Sequence, residues 1–419
     1  MGRTKRVRRK RKYLDNGSSL DDDSNIIDLR KWMKKKGWRN ETRLKLKEFK
    51  YTGRGVHSRV SFQPEDSLIE IPYDLMITST VLDRSELQQF LTNKLKLQEL
   101  LALFLVYERH KGAASTWKFY VDSLPMKNPE VPWLESEEAF GELPDDVMTT
   151  AKDKKWALER SWESVRRSIK FQQCPHCKEM LDCVFDADSF AWGYVMVNTR
   201  AVYVDPDIVS SLADINSLVS DDPNMALCPF LDMFNHSPEA HTRAELRFSD
   251  GNLIYRLTTL RGFQKYQQIF ISYGAHDNNK LFCEYGFFLP DNRFDKIAIT
   301  FGCVMDQIKM RTMQINERQF RYIKDKALCD DLSVSLCGLS FNLSALLYVV
   351  FHTDVRDWSS NIFTATYSES DVNNFVKFVL ELLEMKCKRT KTFGVFGDFL
   401  TNRWNFVVRV LDFLKQSSV

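Results

Sequence analysis

Two Tyr-Gly steps stand twelve residues apart: Tyr273-Gly274 ends the apolar run Ile269-Phe270-Ile271-Ser272, and Tyr285-Gly286-Phe287 follows Glu284. A phenol hydroxyl both donates and accepts hydrogen bonds, so two tyrosines can orient a small polar group while their rings keep water out. Upstream, Gly53-Arg54-Gly55 sets two glycines around one cation, and without Cβ atoms the backbone there can pass close to a ligand. It fails as a dinucleotide fingerprint, because Ser58 stands where the third glycine belongs. Between these lies Pro229–Pro238, whose Asn235-His236 step can turn backbone groups toward a ligand or bury one imidazole. Each piece alone reads more readily as a tight turn, a structural histidine or core aromatics, since the chain holds 30 Phe and 14 Tyr. Cys174-Pro175-His176-Cys177, with Cys183 behind it, offers three thiols and one imidazole set between two of them. A closed zinc site wants four well-placed ligands, so the expectation is a solvent-facing insert with reduced thiols and no metal.

The elements that must position these residues follow from periodicity. A short amphipathic helix is expected with Ile26, Leu29, Trp32 and Met33 on one face and Gly37 ending it. Strands are expected at Leu46–Tyr51, Val56–Phe62 and Leu68–Pro72, then at Ala201–Val204, Ala244–Phe248, Asn252–Thr259 and Gln268–Ser272, with Asp250-Gly251 as a hairpin turn. Helical spacing holds between Leu87 and Arg109 and returns at Gln307–Ala327, Asn342–Phe351, Asp371–Lys386 (Ser370 as N-cap) and Leu400–Gln416. Strands, a helical insert, strands and a helical C-terminal third exclude a doubly wound sheet, which would alternate strand and helix throughout.

The chain has 419 residues, with 59 Lys or Arg against 56 Asp or Glu. Eight of the basic groups fall in residues 3–12; removing them from 59 leaves 51 against 56, so the body is mildly acidic. At 44% hydrophobic and 27% charged, the composition excludes disordered, collagen-like and coiled-coil chains and suits two or three domains. No apolar leader is visible, and the longest apolar runs, Leu100–Tyr107 and Ala345–Phe351, are too short for a bilayer. Nine cysteines without framework spacing fit a reducing compartment, so an intracellular protein is expected.

Taken together and in order, Gly53-Arg54-Gly55, Asn235-His236, Tyr273-Gly274 and Tyr285-Gly286-Phe287 resemble the SET domain of protein lysine methyltransferases. The run from Ser272-Tyr273-Gly274-Ala275-His276-Asp277-Asn278 into Leu281–Phe287 is similar to the branch that includes Rubisco large-subunit methyltransferase. The resemblance covers about residues 45–295 well and the remainder by architecture. It implies an α+β fold: a basic and polar disordered tail (1–25), a SET domain of short β-sheets (26–295) with a helical insert at about 87–190, and an all-helical substrate-binding domain (296–419).

It also implies an S-adenosyl-L-methionine-dependent protein-lysine N-methyltransferase. Gly53, Arg54 and Gly55 would lie along the cofactor, and Asn235 and His236 would bind its adenine and methionine parts. Arg200 would pair with its carboxylate, a task that suits a planar, bidentate guanidinium. Phe287 would stack on the adenine, Tyr273 would be the catalytic tyrosine, in contact with the cofactor, and Tyr285 would wall the lysine channel. The implied partner is a protein substrate, histone or non-histone. Separately, the eight positive charges of residues 3–12 suit a nuclear import receptor, the alternatives being a solvated tail or a nucleic-acid contact, and a place in nucleus and cytoplasm is expected. The acidic body argues against direct nucleic-acid binding. Two rival readings are a non-catalytic SET-fold scaffold and a histidine acceptor. The tyrosines weigh against the first. Tyr285 weighs against the second, because a histidine-methylating relative lacks it.

Overall fold

A computed structural model describes residues 18–212, 217–249, 251–387 and 396–417. The basic run 3–12 and Asp250 of the expected turn lie outside them. The chain divides into two compact units. Of the described residues, one holds those up to Pro129 and within Trp156–Ala275; the other holds Glu130–Lys155 and those from His276 on. The division falls after Ala275 rather than at residue 295, and part of the insert goes with the C-terminal portion.

The first unit begins inside the expected tail. Ser19 bridges Lys47, Asp21 pairs with Lys45, and the Asp23 carboxylate accepts the Ile26 N–H to open the helix Ser24–Lys35. Residues 18–25 therefore have fixed places, which their polar composition concealed. The helix buries Ile26, Leu29, Trp32 and Met33 and ends at Gly37 with φ +96°. Strands β1 (Leu44–Phe49) and β2 (Gly53–Ser58) form a hairpin in which Phe49 faces Gly53. Gly53 takes φ +63°, the left-handed residue that ends a three-residue connection. Both strands start earlier than alternation suggests, because Tyr51, 84% exposed, belongs to the turn.

Next come β3 (Ser67–Pro72), β4 (Val202–Tyr203), β5 (Met225–Ala226), β6 (Asn235–His236), β7 (Thr242–Ser249), β8 (Asn252–Thr259) and β9 (Gln268–Ile271). Strand β9 lies between β2 and β6, giving the order β1-β2-β9-β6; β3-β8-β7 form a second sheet and β4-β5 a third. The β7–β8 register sets Ser249 opposite Asn252, as the two-residue turn requires.

The first unit's part of the insert packs two long helices, Leu97–Lys111 and Ala187–Arg200. They meet where a Cβ on Gly193 would stand 2.6 Å from the Ala102 carbonyl oxygen. That contact sets the position of the second helix, whose last residue is Arg200. Gly193→Ala is expected to push the helices apart and cost about 1–3 kcal/mol. A thermal melt should show a Tm lower by several degrees.

In the second unit the helix Asn278–Tyr285 is followed by Phe301–Met310, Glu317–Asp325, Phe341–Phe351, Glu369–Cys387 and Gly397–Ser417. The helix expected over Gln307–Ala327 is two helices. Thr312 turns to φ +55°, and Asn316 with Gln319 makes a capping box that starts the second. Ser368, not Ser370, caps Glu369–Cys387, accepting the Asp371 N–H at 3.1 Å. The expected all-helical portion also carries a small sheet of β10 (Ile297–Ala298), β11 (Ser333–Ser335) and β12 (Gly338–Leu339). Strands of two or three residues are too short to leave a periodic signal.

Candidate active site

Tyr273 lies two residues beyond β9, and its hydroxyl donates to the Phe234 carbonyl at 2.5 Å. Its backbone N–H donates to His236 Nδ1 at 3.1 Å, and the two rings stack 5.1 Å apart at 28°. Because Nδ1 accepts, the neutral imidazole carries its proton on Nε2. Parallel pairing of β6 with β9 sets Asn235 opposite Phe270 and His236 opposite Ile271. Two motifs far apart in the chain are thus locked to one another.

Asn235 joins the third. Its side-chain N–H₂ donates to the carbonyls of Thr52 at 3.2 Å and Arg54 at 3.0 Å. A Cβ on Gly55 would lie 2.8 Å from Asn235 Nδ2 and 2.6 Å from Gln268 Nε2. The space at Gly55 is therefore taken by protein side chains, a reason for glycine there that the sequence did not suggest.

The arginines converge on an acid that the sequence reading passed over. The Arg54 guanidinium donates to the Ser123 carbonyl at 2.8 Å. Arg200 Nη1 lies 3.2 Å from the Asp232 carbonyl oxygen and 3.3 Å from its carboxylate, which also accepts the Tyr120 hydroxyl at 3.1 Å. The Asp232 side chain is fully buried. Burial pushes its carboxyl above the ordinary range, against the pull of Arg200, Arg54 and Tyr120. Burial and the Arg200 charge lower Arg54, while Asp232 and the more distant Asp23 and Glu48 support it. Burial and Asp232 raise Tyr120. Just before Asp232, the buried Phe230 takes φ +70°, a conformation unusual for an aromatic residue, with its ring 5.1 Å from that of Trp38. The one signal for Asp232 was a lone acid in the apolar run Pro229–Phe234.

Tyr285 and Phe287 belong to the second unit. Tyr285 is the last residue of Asn278–Tyr285, and Gly286 closes the helix at φ +77° with its N–H on the Phe282 carbonyl. The ring of Tyr285 lies 6.1 Å from that of Phe287 and 6.3 Å from that of His276. Burial, helped by the Glu284 charge, pushes its hydroxyl up to about 12, so it stays neutral through the physiological range. The following segment is pinned by Asn278, which exchanges hydrogen bonds with Leu289 (2.9 Å each way) and donates to Asp295 at 2.9 Å. Asp295 in turn stands 3.8 Å from Arg403, which donates to Asp146 at 2.6 Å. The residues that hold this aromatic segment come from three separate stretches of chain, and spacing carried no hint of them.

The buried cluster of the first unit also tests a cofactor's fit. Two guanidinium groups gather around one carboxylate, and Arg200 Nε and Asp232 Oδ1 are buried without a hydrogen-bond partner among the described residues. A surplus positive charge beside an unused donor suits an anionic carboxylate, the group that a bound amino acid would present.

Known proteins share this fold. A solved structure of Rubisco LSMT bound to AdoMet, 17% identical, superposes with a TM-score of 0.59 over 94% of this chain and 91% of that one, which establishes the fold. The ribosomal lysine N-methyltransferase set11 of Schizosaccharomyces pombe is 25% identical, covering 77% of this chain and 74% of its own. SET domain-containing protein 4 of Mus musculus is 31% identical, covering 83% of this chain and 77% of its own. Residues 53–274, from the glycine turn to the first Tyr-Gly step, match the SET domain as a family. The chain that ties its glycine turn to Asn235 and its Tyr273 to His236 therefore belongs to the SET domain family.

Proposed function

We propose that the protein is an S-adenosylmethionine-dependent protein-lysine N-methyltransferase. The observation that carries this reading is the Tyr273 hydroxyl, held on the Phe234 carbonyl beside a stacked His236 in a SET domain. The cofactor supplies a sulfonium methyl for in-line displacement by a neutral amine. The chain's own residues bind, orient and exclude water. Arg200, with Arg54 behind it, offers the positive charge for the cofactor's carboxylate, and Asp232 holds Arg200 in place. A fixed Tyr273 phenol oxygen and nearby backbone carbonyls can orient the amine and stabilise charge as it passes from sulfur to nitrogen. Tyr285 and Phe287 keep the roles that the resemblance implies, channel wall and adenine stack.

The acceptor is a lysine of a histone or another protein, and a net negative body suits a basic substrate segment. Recognition of residues 3–12 by a nuclear import receptor, and a place in nucleus and cytoplasm, belong to the same reading. Among the described residues no helix is long and apolar enough to cross a membrane.

The test is transfer of labelled methyl from S-adenosylmethionine to core histones and cell-extract proteins, with cofactor binding measured in parallel. Label on lysine supports the proposal. Bound cofactor without transfer to any protein favours a scaffold, and no cofactor binding overturns the reading.

The pH profile separates the two acceptors. A lysine of pKa about 10.4 is neutral in about one molecule per thousand at a pH of about 7.4, so the rate at low substrate should climb about tenfold per pH unit into the alkaline range. A histidine of pKa about 6.5 would instead give a profile that levels off near neutrality.

A further inference from the structure

We propose that His110, Cys174 and Cys177 form a zinc site in the helical insert. His110 stands one residue before the end of the helix Leu97–Lys111, and its Nε2 lies 3.7 Å from Cys174 Sγ. The ligand atoms of the three residues all lie within 4.8 Å of one another. Tetrahedral zinc, with Zn–S of about 2.3 Å and Zn–N of about 2.0–2.1 Å, separates nitrogen from sulfur by about 3.6 Å and sulfur from sulfur by about 3.8 Å. The spacing admits an ion with little adjustment.

The turn that carries the cysteines is closed by backbone hydrogen bonds. The Cys174 N–H bonds the Glu179 carbonyl at 2.7 Å, the Lys178 N–H bonds the Cys174 carbonyl at 3.0 Å, and Gln173 pairs with Met180. Lys178 takes φ +69° as the chain turns back between Gln173 and Met180. Those backbone bonds fix the Cys174 sulfur beside His110 Nε2. The Tyr107 hydroxyl stands 4.0 Å from the same sulfur.

The chemistry of the set selects the metal. Two soft thiolates and one imidazole suit zinc and exclude the hard cations calcium and magnesium. Cys174 is buried, whereas Cys177 is exposed and His110 half-buried, so the cluster opens to solvent, where a water completes four-coordination. Binding displaces the two thiol protons and ties the cysteine turn to the end of the helix. Counting ligands within the segment could not find this set, because His110 lies 64 residues upstream of Cys174. The insert was expected to face solvent with reduced thiols; Cys177 and Cys183 are exposed, whereas Cys174 is buried.

Metal analysis by mass spectrometry of the full chain, expressed with zinc and dialysed, tests the site. The expected result is about one zinc per chain, lost in both Cys174→Ser and Cys177→Ser. Unfolding of a variant would cause the same loss, so a second measurement uses the unaltered protein. Cys177 should resist alkylation until a chelator is added, while Cys183, exposed and outside the cluster, reacts alike with and without it. Cobalt(II) added to the chelated protein should give the visible absorption of a tetrahedral thiolate site. Zinc well below one per chain, zinc retained by Cys177→Ser, or alkylation of Cys177 that ignores the chelator would each overturn the proposal.

Discussion

Tyr273→Phe is expected to bind S-adenosylmethionine much as the unaltered protein does and to transfer methyl about 100- to 1000-fold more slowly. The substitution removes one oxygen. The ring stays stacked on His236, and the backbone N–H to Nδ1 remains, so the local frame survives. What goes is a hydroxyl fixed in direction by the Phe234 carbonyl, and a preorganised dipole costs no reorganisation as charge moves in the transition state. The Phe234 carbonyl also loses its donor, worth about 1–3 kcal/mol if no water replaces it, so the melt must be recorded beside the rate. Single-turnover transfer at saturating cofactor, with binding followed by calorimetry, gives the two numbers. A rate within a few-fold of the unaltered protein would remove Tyr273 from the chemistry.

Arg200→Met should have the largest effect on stability and on cofactor affinity together. It leaves the Asp232 carboxylate fully buried with the Tyr120 hydroxyl and the Arg54 charge as its remaining support. Breaking a buried pair from one side costs about 3–5 kcal/mol. The sign of the pH dependence follows from burial. The Asp232 carboxyl is raised in the folded state, so its contribution favours folding below the ordinary carboxylate range and is lost as pH rises through the raised value. Without Arg200 the raise grows. The variant's deficit should therefore be greatest near neutrality and shrink as the solution is acidified, which denaturant melts of both proteins at a series of pH values will show. Weaker binding of S-adenosylmethionine at a pH where the variant is folded tests the carboxylate role separately. Normal binding there would assign Arg200 to the fold alone.

The motifs were legible because each is a local necessity. Gly53 ends a hairpin turn, Tyr273 follows a short strand, and Gly286 stops a helix in the left-handed region, so residue type and position mark them without a partner. The β7–β8 hairpin was legible for the same reason: alternation and a two-residue turn are properties of contiguous chain. Where two local signals competed, the stronger one was missed. The helical period through Gln307–Ala327 hid the capping box at Asn316, and a side chain's cap cannot be ranked against periodicity until the chain is folded.

The sequence by itself determined the family and the order of the motifs, because these depend on residue types at fixed short spacing. Tertiary structure alone decided which charges meet. Asp232 between Arg200 and Tyr120, Asn278 and Asp295 behind the second Tyr-Gly step, and His110 opposite Cys174 join residues from distant stretches of chain. The physical reason is burial. A charge or thiol acquires its strength, its protonation and its partner only when the fold removes water from around it, and no spacing along the chain records which residues will share that enclosure.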